Sequence, residues 1–205
     1  MLAETPEIFG AEHLLTSRVV SHAVGEKLIQ RFQWWNDQSK NRGFSVDNNP
    51  TPGNKAGGLT TIFEKSLGAV AKAGSTPLTA VYEYAEAVNQ PGFTFMDTPG
   101  NDWTSVTGQL AGGCSLILFT TGRGSVFGSN LAPCLKIASN SNLYRSMSDD
   151  MDFNAGKVLE NTSLQQASQD LLGLIIRAAS GQRTKSEQNG LPEVEFITWQ
   201  PDAIL

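Results

Sequence analysis

Cysteine and histidine are scarce in this sequence, which limits the metal and disulfide chemistry that it can support. The 205 residues include only two cysteines and two histidines. Cys114 and Cys134 lie in neither a C-x-x-C nor another metal-ligand spacing, so we expect them to be small buried hydrophobes. His13 and His22 are nine residues apart, unlike the i, i+4 pair of a helical zinc site. A structural zinc centre and a disulfide framework are therefore not expected.

The sequence also lacks basic runs and long apolar runs. Its formal net charge of -5, without a lysine- or arginine-rich stretch, argues against nucleic acid or anionic lipid as a partner. No apolar run reaches the roughly 18 to 20 residues that span a bilayer. The acidic opening "MLAETPE" lacks the basic start of a secretory signal. We expect a cytoplasmic protein without a membrane segment, and its length suits a single domain over residues 1–205.

Three familiar catalytic fingerprints are missing as well. The glycine-rich segment "TTGRGSVFG" matches neither G-x-x-x-x-G-K-[ST] nor G-x-G-x-x-G, and there is no G-x-S-x-G nucleophile elbow. A nucleotide-binding enzyme and a serine hydrolase of that type are therefore disfavoured. Arg123 in this segment has two interpretations: it pairs with an anionic ligand, or it is a solvated residue in a turn.

What the sequence does contain is an alternation of helical and strand-like segments. Helical periodicity predicts helices over residues 17–40, 59–74, 101–113 and 163–181. "GFTFMDTPG", "CSLILFTTG" and "PCLKIASN" have the composition of strands, and the tail over residues 182–205 contains a candidate edge strand, "EVEFITWQ". This order predicts an α/β fold with a mostly parallel sheet between helical layers, a Rossmann-like three-layer sandwich.

In such a sheet ligands bind at the carboxyl ends of the strands, so polar residues just after each strand are the first candidates for a site. Four stretches qualify: "AETPE", "MDTPGND", "TTGRGS" and "ASNSN". Asp97 and Asp102 flank a Pro-Gly turn, where they either hold a metal or exchange protons, or else Asp97 bonds turn amides and Asp102 caps a helix. The cap of that helix is expected to be Asn101 or Asp102. His13 is either an acid or base near neutral pH or a polar neighbour on a helix.

The stretch "NNPTPGNKAGGLTT" raises a further question, because it crowds glycine, proline and one lysine into 14 residues. Lys55 precedes the paired glycines and no serine or threonine follows it directly, so this is not a phosphate-binding Walker loop. The stretch is predicted to be a helix-entry loop, with Thr60 or Thr61 in the first turn of the next helix. Asn54 and Lys55 are candidates to meet a carboxylate ligand.

Six blocks taken together resemble the C-terminal part of the altronate and galactarate dehydratases. The blocks occur in the family's order and are "AETPEIFGAEHLL", "NPTPGNKAGGLTTIFEKSLGAVAKAG", "MDTPGNDWTSVTGQLAGG", "LFTTGRGSVFG", "LKIASNSNL" and "MDFNAGKVL". The resemblance implies a hydro-lyase that removes water from D-altronate or galactarate to give a 2-dehydro-3-deoxy sugar acid. It also implies a divalent metal, commonly Fe2+, and a preceding N-terminal part of the enzyme that is missing here. Such a fragment alone could be inactive and could form a homo-oligomer.

This chemistry requires a base, a positive group for the enediolate and an acid for the departing hydroxide. From residue type we expect the catalytic groups to be Lys55, Asp97, Asp102 and His13. The expected substrate-binding residues are Asn54, Arg123 and Asn140, and the candidate metal ligand is Glu7.

One position departs from the family's pattern, since many relatives read "PGYDP" where this chain has "PGNDW", with Asn101 and Trp103. The change would alter specificity if the tyrosine position touches substrate. Sulfolactate-cleaving lyases are similar in sequence too. The alternative hypothesis is therefore a non-catalytic, Rossmann-like binding or assembly module of such a lyase.

Overall fold

The computed structural model describes residues 1–43, 52–56, 58–191 and 196–201. The chain divides into two compact units, the first comprising Met1–Gly113 with the C-terminal residues from Ile197, and the second Cys114–Phe196. The single domain over residues 1–205 stays a prediction. No described helix is both long enough and apolar enough to cross a membrane.

The first unit consists of helices around a two-stranded sheet. It begins with a 3-10 helix at Thr5–Ile8, and its other elements are α1 (Glu12–Thr16), α2 (His22–Arg42), α3 (Pro52–Ala56), α4 (Ile62–Ala71), β1 (Leu78–Tyr82), β2 (Phe93–Met96) and α5 (Asp102–Ala111). Leu28, Phe32 and Trp35 of α2 join the unit's apolar core, which also contains Phe95 of β2. This buried stripe is the amphipathic face that the sequence predicts.

The long helix α2 begins later than its periodicity suggests. Ser21 is the N-cap, since its side chain accepts from the backbone N–H of Val24, and Gly43 ends the helix in a left-handed conformation with φ of 69°. Val20, which fits the apolar spacing, therefore precedes the helix and is 55% exposed. The start of α2 is therefore determined by the Ser21 cap, which the apolar periodicity alone does not indicate.

Strands β1 and β2 are parallel, and single bridges extend the sheet on both sides. Val19 pairs with Leu78 of β1, and Leu2 pairs with Phe95 of β2, both in the parallel sense. The chain start therefore runs beside β2 in the same direction. Residues that follow Leu2 and residues that follow β2 leave the sheet at the same edge.

The second unit has a three-stranded parallel sheet in the order β3 (Ile117–Thr121), β4 (Cys134–Ala138), β5 (Phe153–Asn154). Its helices are α6 (Ser141–Ser146), a 3-10 helix at Ala155–Leu159, α7 (Leu164–Ala179) and α8 (Lys185–Gln188). The central strand β4 is buried along its whole length, as its covered position requires. Ala167, Leu171 and Leu174 of α7 pack in the cluster that contains Ile137 of β4.

The α/β class with parallel strands is confirmed, but the single sheet that we expected is not: the described strands form two sheets. The sequence analysis also missed β1, because "LTAVY" is short and follows a proline. Of the predicted edge strand "EVEFITWQ", residues 193–195 lie outside the described residues and residues 196–200 form no strand. The three-layer Rossmann-like arrangement stays a prediction.

Candidate functional site

The candidate site lies where the chain start and the end of β2 leave the first sheet together. The backbone N–H of Leu2 donates to the Thr94 carbonyl at 2.9 Å, and that of Met96 donates to the Leu2 carbonyl at 3.0 Å. Beyond the strand the pairing continues, since the N–H of Thr5 donates to the carbonyl of Thr98 at 3.1 Å. "AETPE" and "MDTPGND", two of the predicted strand-end stretches, are thus neighbours.

Glu4 occupies an unusual backbone conformation at this edge. It is the N-cap of the first 3-10 helix and has φ of 73°, in the left-handed region that residues other than glycine rarely adopt. Its N–H donates to Oγ1 of the buried Thr98 at 3.0 Å. Such conformations cost on the order of 1–3 kcal/mol and persist only where the surroundings hold them, often at functional sites.

Glu4 interacts electrostatically with two further carboxylates, Glu7 and Asp102, and with two lysines, Lys65 and Lys72. We call these five residues the carboxylate–lysine cluster. Lys65 Nζ forms an ion pair with Glu7 at 2.7 Å to Oε2 and 2.8 Å to Oε1. This pair joins α4 to the first 3-10 helix, against which α4 packs. The buried Glu7 carboxylate is therefore compensated by a cation.

Burial and mutual repulsion shift the pKa values in this cluster. The pKa of Glu4 is raised to about 8, mainly by burial and also by the charges of Glu7 and Asp102, while Lys72 and Lys65 oppose the shift. Burial is also the main reason why the pKa of Asp102 is raised, with a contribution from Glu7 and opposition from both lysines. A carboxyl group with a pKa of about 8, such as that of Glu4, is suited to proton transfer near neutral pH.

Asn101, and not Asp102, caps α5. Oδ1 of Asn101 accepts from the N–H of Thr104 at 3.2 Å and from its hydroxyl at 3.1 Å. Asp102 is the first helical residue, where a carboxylate interacts favourably with the helix dipole. The capping interpretation of Asp102 is therefore wrong, and this carboxylate joins the cluster instead. The asparagine that departs from "PGYDP" has a structural function in this chain.

Asp97 has a different environment from the cluster. Its buried Oδ1 accepts hydrogen bonds from the Thr5 hydroxyl and, at 2.8 Å, from Trp35 Nε1, while Arg31 Nη1 lies 3.8 Å from Oδ2. Burial raises its pKa, and these hydrogen bonds and the arginine oppose the shift. The carboxylate thus ties the end of β2 to α2 and to the first 3-10 helix. Its catalytic role stays a prediction.

Asn54 and Lys55 lie on α3, where a loop was predicted. Their carbonyls accept from the N–H groups of Leu59 and Gly58, at 3.2 and 3.0 Å. The next helix, α4, begins at Ile62, and the Thr61 hydroxyl caps it by accepting from the N–H of Glu64 at 3.4 Å. Both threonines therefore precede the first turn, in which the sequence analysis placed one of them. Residues 44–51 and 57 of the opening stretch lie outside the described residues. The substrate and catalytic roles of Asn54 and Lys55 stay predictions.

His13 is exposed on α1, and its carbonyl accepts from the N–H of Ser17 at 3.0 Å. None of its described contacts joins its ring to the carboxylate–lysine cluster. Its role as an acid or base stays a prediction.

Arg123 and Asn140 belong to the second unit, unlike the other candidates. The exposed Arg123 lies in a turn after β3, where Thr121 Oγ1 accepts from the N–H groups of Arg123 and Gly124 at 3.3 and 3.0 Å. Asn140 follows β4: its Oδ1 caps α6 by accepting from Leu143 at 2.8 Å, and its Nδ2 donates to the Gly122 carbonyl at 3.1 Å. Asn140 thus joins the two strand ends of this unit, and substrate binding by either residue stays a prediction.

A metal site is not apparent among the described residues, since no three or more histidine, cysteine, aspartate or glutamate side chains are grouped in a way that could hold an ion. Glu7, the predicted ligand, is paired with Lys65. The described residues therefore do not by themselves fit the iron that the resemblance implies.

The sequence analysis missed three members of the cluster as functional residues: Glu4, Lys65 and Lys72. Two signals were present. Glu4 belongs to "AETPE", and the two lysines are seven residues apart, a spacing that places them on one side of a helix. Neither signal showed that this helix would pack on the chain start.

Comparison with known proteins supports the family resemblance that the six sequence blocks indicate. The family model described as D-galactarate/Altronate dehydratase, C-terminal, matches residues 1–204. The chain is 37% identical over 198 residues to the altronate dehydratase of Bacillus subtilis, which covers 96% of this chain and 40% of that protein. It is 34% identical over 193 residues to the galactarate dehydratase (L-threo-forming) of Escherichia coli, which is 93% of this chain and 37% of that protein.

A relative that is named as a sulfo-lyase and not as a dehydratase has a similar sequence identity to this chain. The (2R)-sulfolactate sulfo-lyase subunit beta of Chromohalobacter salexigens is 35% identical over 195 residues, which is 93% of this chain and 50% of that protein. The chain thus spans between 37% and 50% of the length of these curated relatives. Since the family model covers nearly every residue, the chain belongs to the D-galactarate/altronate dehydratase C-terminal family.

Proposed function

We propose that this chain acts as the C-terminal part of a cytoplasmic sugar-acid dehydratase that removes water from D-altronate or galactarate to give a 2-dehydro-3-deoxy sugar acid. The observation that carries the proposal is the family match over residues 1–204, supported by relatives named altronate and galactarate dehydratase. The remaining length of those relatives corresponds, in this proposal, to an N-terminal part that shares the site.

The carboxylate–lysine cluster supplies the kinds of group that this reaction needs. A base removes the proton at C2, next to the substrate carboxylate, and the C–H electrons form the C2–C3 double bond as hydroxide leaves C3. Asp102, whose pKa burial raises, is our candidate for this base. Lys72, exposed at the end of α4, would attract the anionic substrate.

The other predicted residues and the metal complete the proposal. Arg123 would clamp a carboxylate with its planar guanidinium group, while Asn54 and Lys55 would contact the sugar acid from α3. A ferrous ion would hold the enediolate. Because the described residues contain no group suited to it, we propose that its ligands come largely from the N-terminal part.

Dehydratase assays on the full-length protein and on this chain alone test the proposal. With added ferrous ion, the full-length protein should convert altronate or galactarate to the 2-dehydro-3-deoxy acid, and this chain alone should be inactive. If the full-length protein converts neither acid and neither acid shifts its melting temperature, the proposed function is wrong.

Sulfolactate cleavage is the second candidate, because the chain is 35% identical to a subunit of a (2R)-sulfolactate sulfo-lyase. Release of sulfite from (2R)-sulfolactate, with no reaction on either sugar acid, would favour it. A non-catalytic assembly function would show itself differently: the N-terminal part expressed without this chain would keep full activity.

A further inference from the structure

Helix α4 is apolar on its outer side as well as on its buried side. Phe63, Leu67 and Ala71 recur every four residues, so they share one side of the helix, which we call the α4 stripe. Phe63 is 58% exposed and Leu67 is 54% exposed, and Ala71 is exposed as well. Another side, which contains Ile62 and Val70, belongs to the apolar core of the first unit. A helix that is apolar on both sides is normally covered on both.

The two charged residues of α4 leave the stripe uncharged. Glu64 turns back to the start of the helix, where its Oε2 accepts from the N–H and the hydroxyl of Thr60 at 3.0 and 2.9 Å. Lys65 pairs with Glu7 of the first 3-10 helix. The α4 stripe is therefore a neutral apolar surface, which is typical of a contact with another protein surface and not of a solvated helix face.

The exposed ring of Phe63 is supported from below. Gly10 follows the first 3-10 helix and has φ of 82°, and a Cβ at this position would overlap the Phe63 ring. The ring therefore lies directly on the backbone of Gly10, although more than half of the residue is exposed. An aromatic residue that is already held in place loses little conformational freedom when a partner covers it, so Phe63 is suited to be an interface anchor.

The α4 stripe lies close to the candidate site. The segment under Phe63 continues from the first 3-10 helix, which carries Glu7, and α4 packs on that helix. Lys65 and Lys72 lie on a different side of α4 from the stripe, so one helix diameter, about 10 Å, separates them from it. A protein surface that covers α4 therefore borders the carboxylate–lysine cluster.

We propose that the α4 stripe is the surface on which the N-terminal part of the full-length protein docks. This inference rests on the proposed function, in which that part shares the site and supplies most of the metal ligands. The chain spans only 37% to 50% of the length of its curated relatives, so the remaining part is at least as long as this chain. To bring ligands to the cluster, it meets the two helices that carry Lys65 and Glu7.

A second copy of this chain fits the stripe less well. Each copy has a formal net charge of -5, and the uncharged stripe offers no opposite charge to offset the repulsion between two copies. A second copy would also bring no metal ligands, because its described residues contain no group suited to an ion. The N-terminal part is therefore the occupant that the site requires.

Photo-crosslinking in the full-length protein tests what covers α4. Leu67→p-benzoylphenylalanine places a photoreactive probe on the stripe, and mass spectrometry identifies the peptides to which the probe is joined after irradiation. We expect a peptide of the N-terminal part. The matched position is Leu172 of α7, which is 57% exposed and belongs to the second unit. The same probe at Leu172 should give this crosslink at much lower yield.

A charged substitution gives a second readout in the full-length protein. Leu67→Glu places a carboxylate in the proposed contact and should lower kcat/KM for dehydration by about 10- to 100-fold, as expected when an apolar anchor of an interface is lost. Leu67→Met keeps the apolar contact and should retain the wild-type rate. Leu172→Glu introduces the same charge on an equally exposed leucine and should leave the rate unchanged.

Three results would overturn the proposal. The probe at Leu67 joins α4 of a second copy, or it joins the N-terminal part no more often than the probe at Leu172 does, or Leu67→Glu keeps wild-type activity. The crosslink forms without turnover, so it separates this inference from the proposed function. If wild type dehydrates a sugar acid but the probe does not reach the N-terminal part, the function stands and the docking surface is wrong. If the crosslink forms but wild type acts on no sugar acid, the docking surface stands and the dehydratase proposal fails.

Discussion

The indole N–H of Trp35 donates a hydrogen bond of 2.8 Å to Oδ1 of Asp97, in the core of the first unit. Because Asp97 also accepts from Thr5, one carboxylate connects α2, β2 and the chain start. The segment that carries Glu4 and Glu7 is therefore attached to the sheet through a buried polar contact. The position of the carboxylate–lysine cluster depends on it.

Replacement of Asp97 tests this structural role. Asp97→Ala leaves Trp35 Nε1 and the Thr5 hydroxyl without their acceptor, and should lower the free energy of unfolding by about 2–4 kcal/mol. Asp97→Asn keeps an acceptor oxygen, so its free energy of unfolding should fall by less. Urea denaturation measures both. A folded Asp97→Asn protein that has lost dehydratase activity by more than about 100-fold would support the catalytic role predicted from the sequence.

The raised pKa of Glu4 also predicts how stability depends on pH. The unfolded carboxyl ionises near its ordinary pKa of 4.5, but the folded one keeps its proton to about 8. Between these values the folded state binds more protons than the unfolded state, so this group's contribution to stability is lost as the pH rises. Glu4→Gln should therefore gain stability relative to wild type from pH 4.5 to 8, with no further gain above. Urea denaturation at pH 5 and pH 9 checks this, and an equal difference at both values would contradict it.

The ion pair between Lys65 and Glu7 should matter more than an exposed pair, because the Glu7 side chain is only 10% exposed. Lys65→Ala removes the cation of this ion pair and should destabilise the protein by about 1–3 kcal/mol. The double variant with Glu7→Gln should recover part of the loss. A double-mutant cycle measures the coupling, and additive effects of the two substitutions would show that the pair contributes nothing.

Loss of Lys65 should also change the titration of its neighbours. Lys65 lowers the pKa values of Glu4 and Asp102, so Lys65→Ala should raise both. NMR titration of the carboxyl carbons would detect the shifts. Lys27→Ala, which removes an ion pair with Glu86 on the exposed surface, is the matched control and should leave both pKa values unchanged.

Gly156 permits a close backbone approach in the second unit. A Cβ at this position would lie 2.3 Å from the backbone N of Ser141 and 2.5 Å from Cα of Asn140. Gly156→Ala should therefore displace the start of α6 and destabilise the protein by about 2–4 kcal/mol, as overpacking does. Chemical denaturation measures the loss, and a change below about 0.5 kcal/mol would contradict this prediction.

Gly68 is the matched control, and its expected effect has the opposite sign. Gly68 lies within α4, and a Cβ there would meet no atom within 4 Å. Gly68→Ala should stabilise α4 by about 0.5–1 kcal/mol, because alanine loses less backbone freedom in a helix.

Several helices and strands could be predicted from the sequence because capping residues and composition act locally. Ser163 caps α7 by accepting from Gln166, and Gly181 follows the end of that helix, as its sequence indicates. The runs at β2, β3 and β4 were predicted from apolar and β-branched composition. Each of these signals lies within a few residues of the structure that it specifies.

The sequence by itself determined the family, the α/β class and most element positions, because motifs, caps and periodicity act over short distances. Only the tertiary structure decided that the strands form two sheets, that Asp97 bonds Trp35, and that Glu4 faces Lys65, Lys72 and Asp102. These outcomes depend on packing between segments up to about a hundred residues apart in the chain, from Glu4 to Asp102. No local pattern encodes such contacts, since burial and charge pairing arise only once the chain has folded.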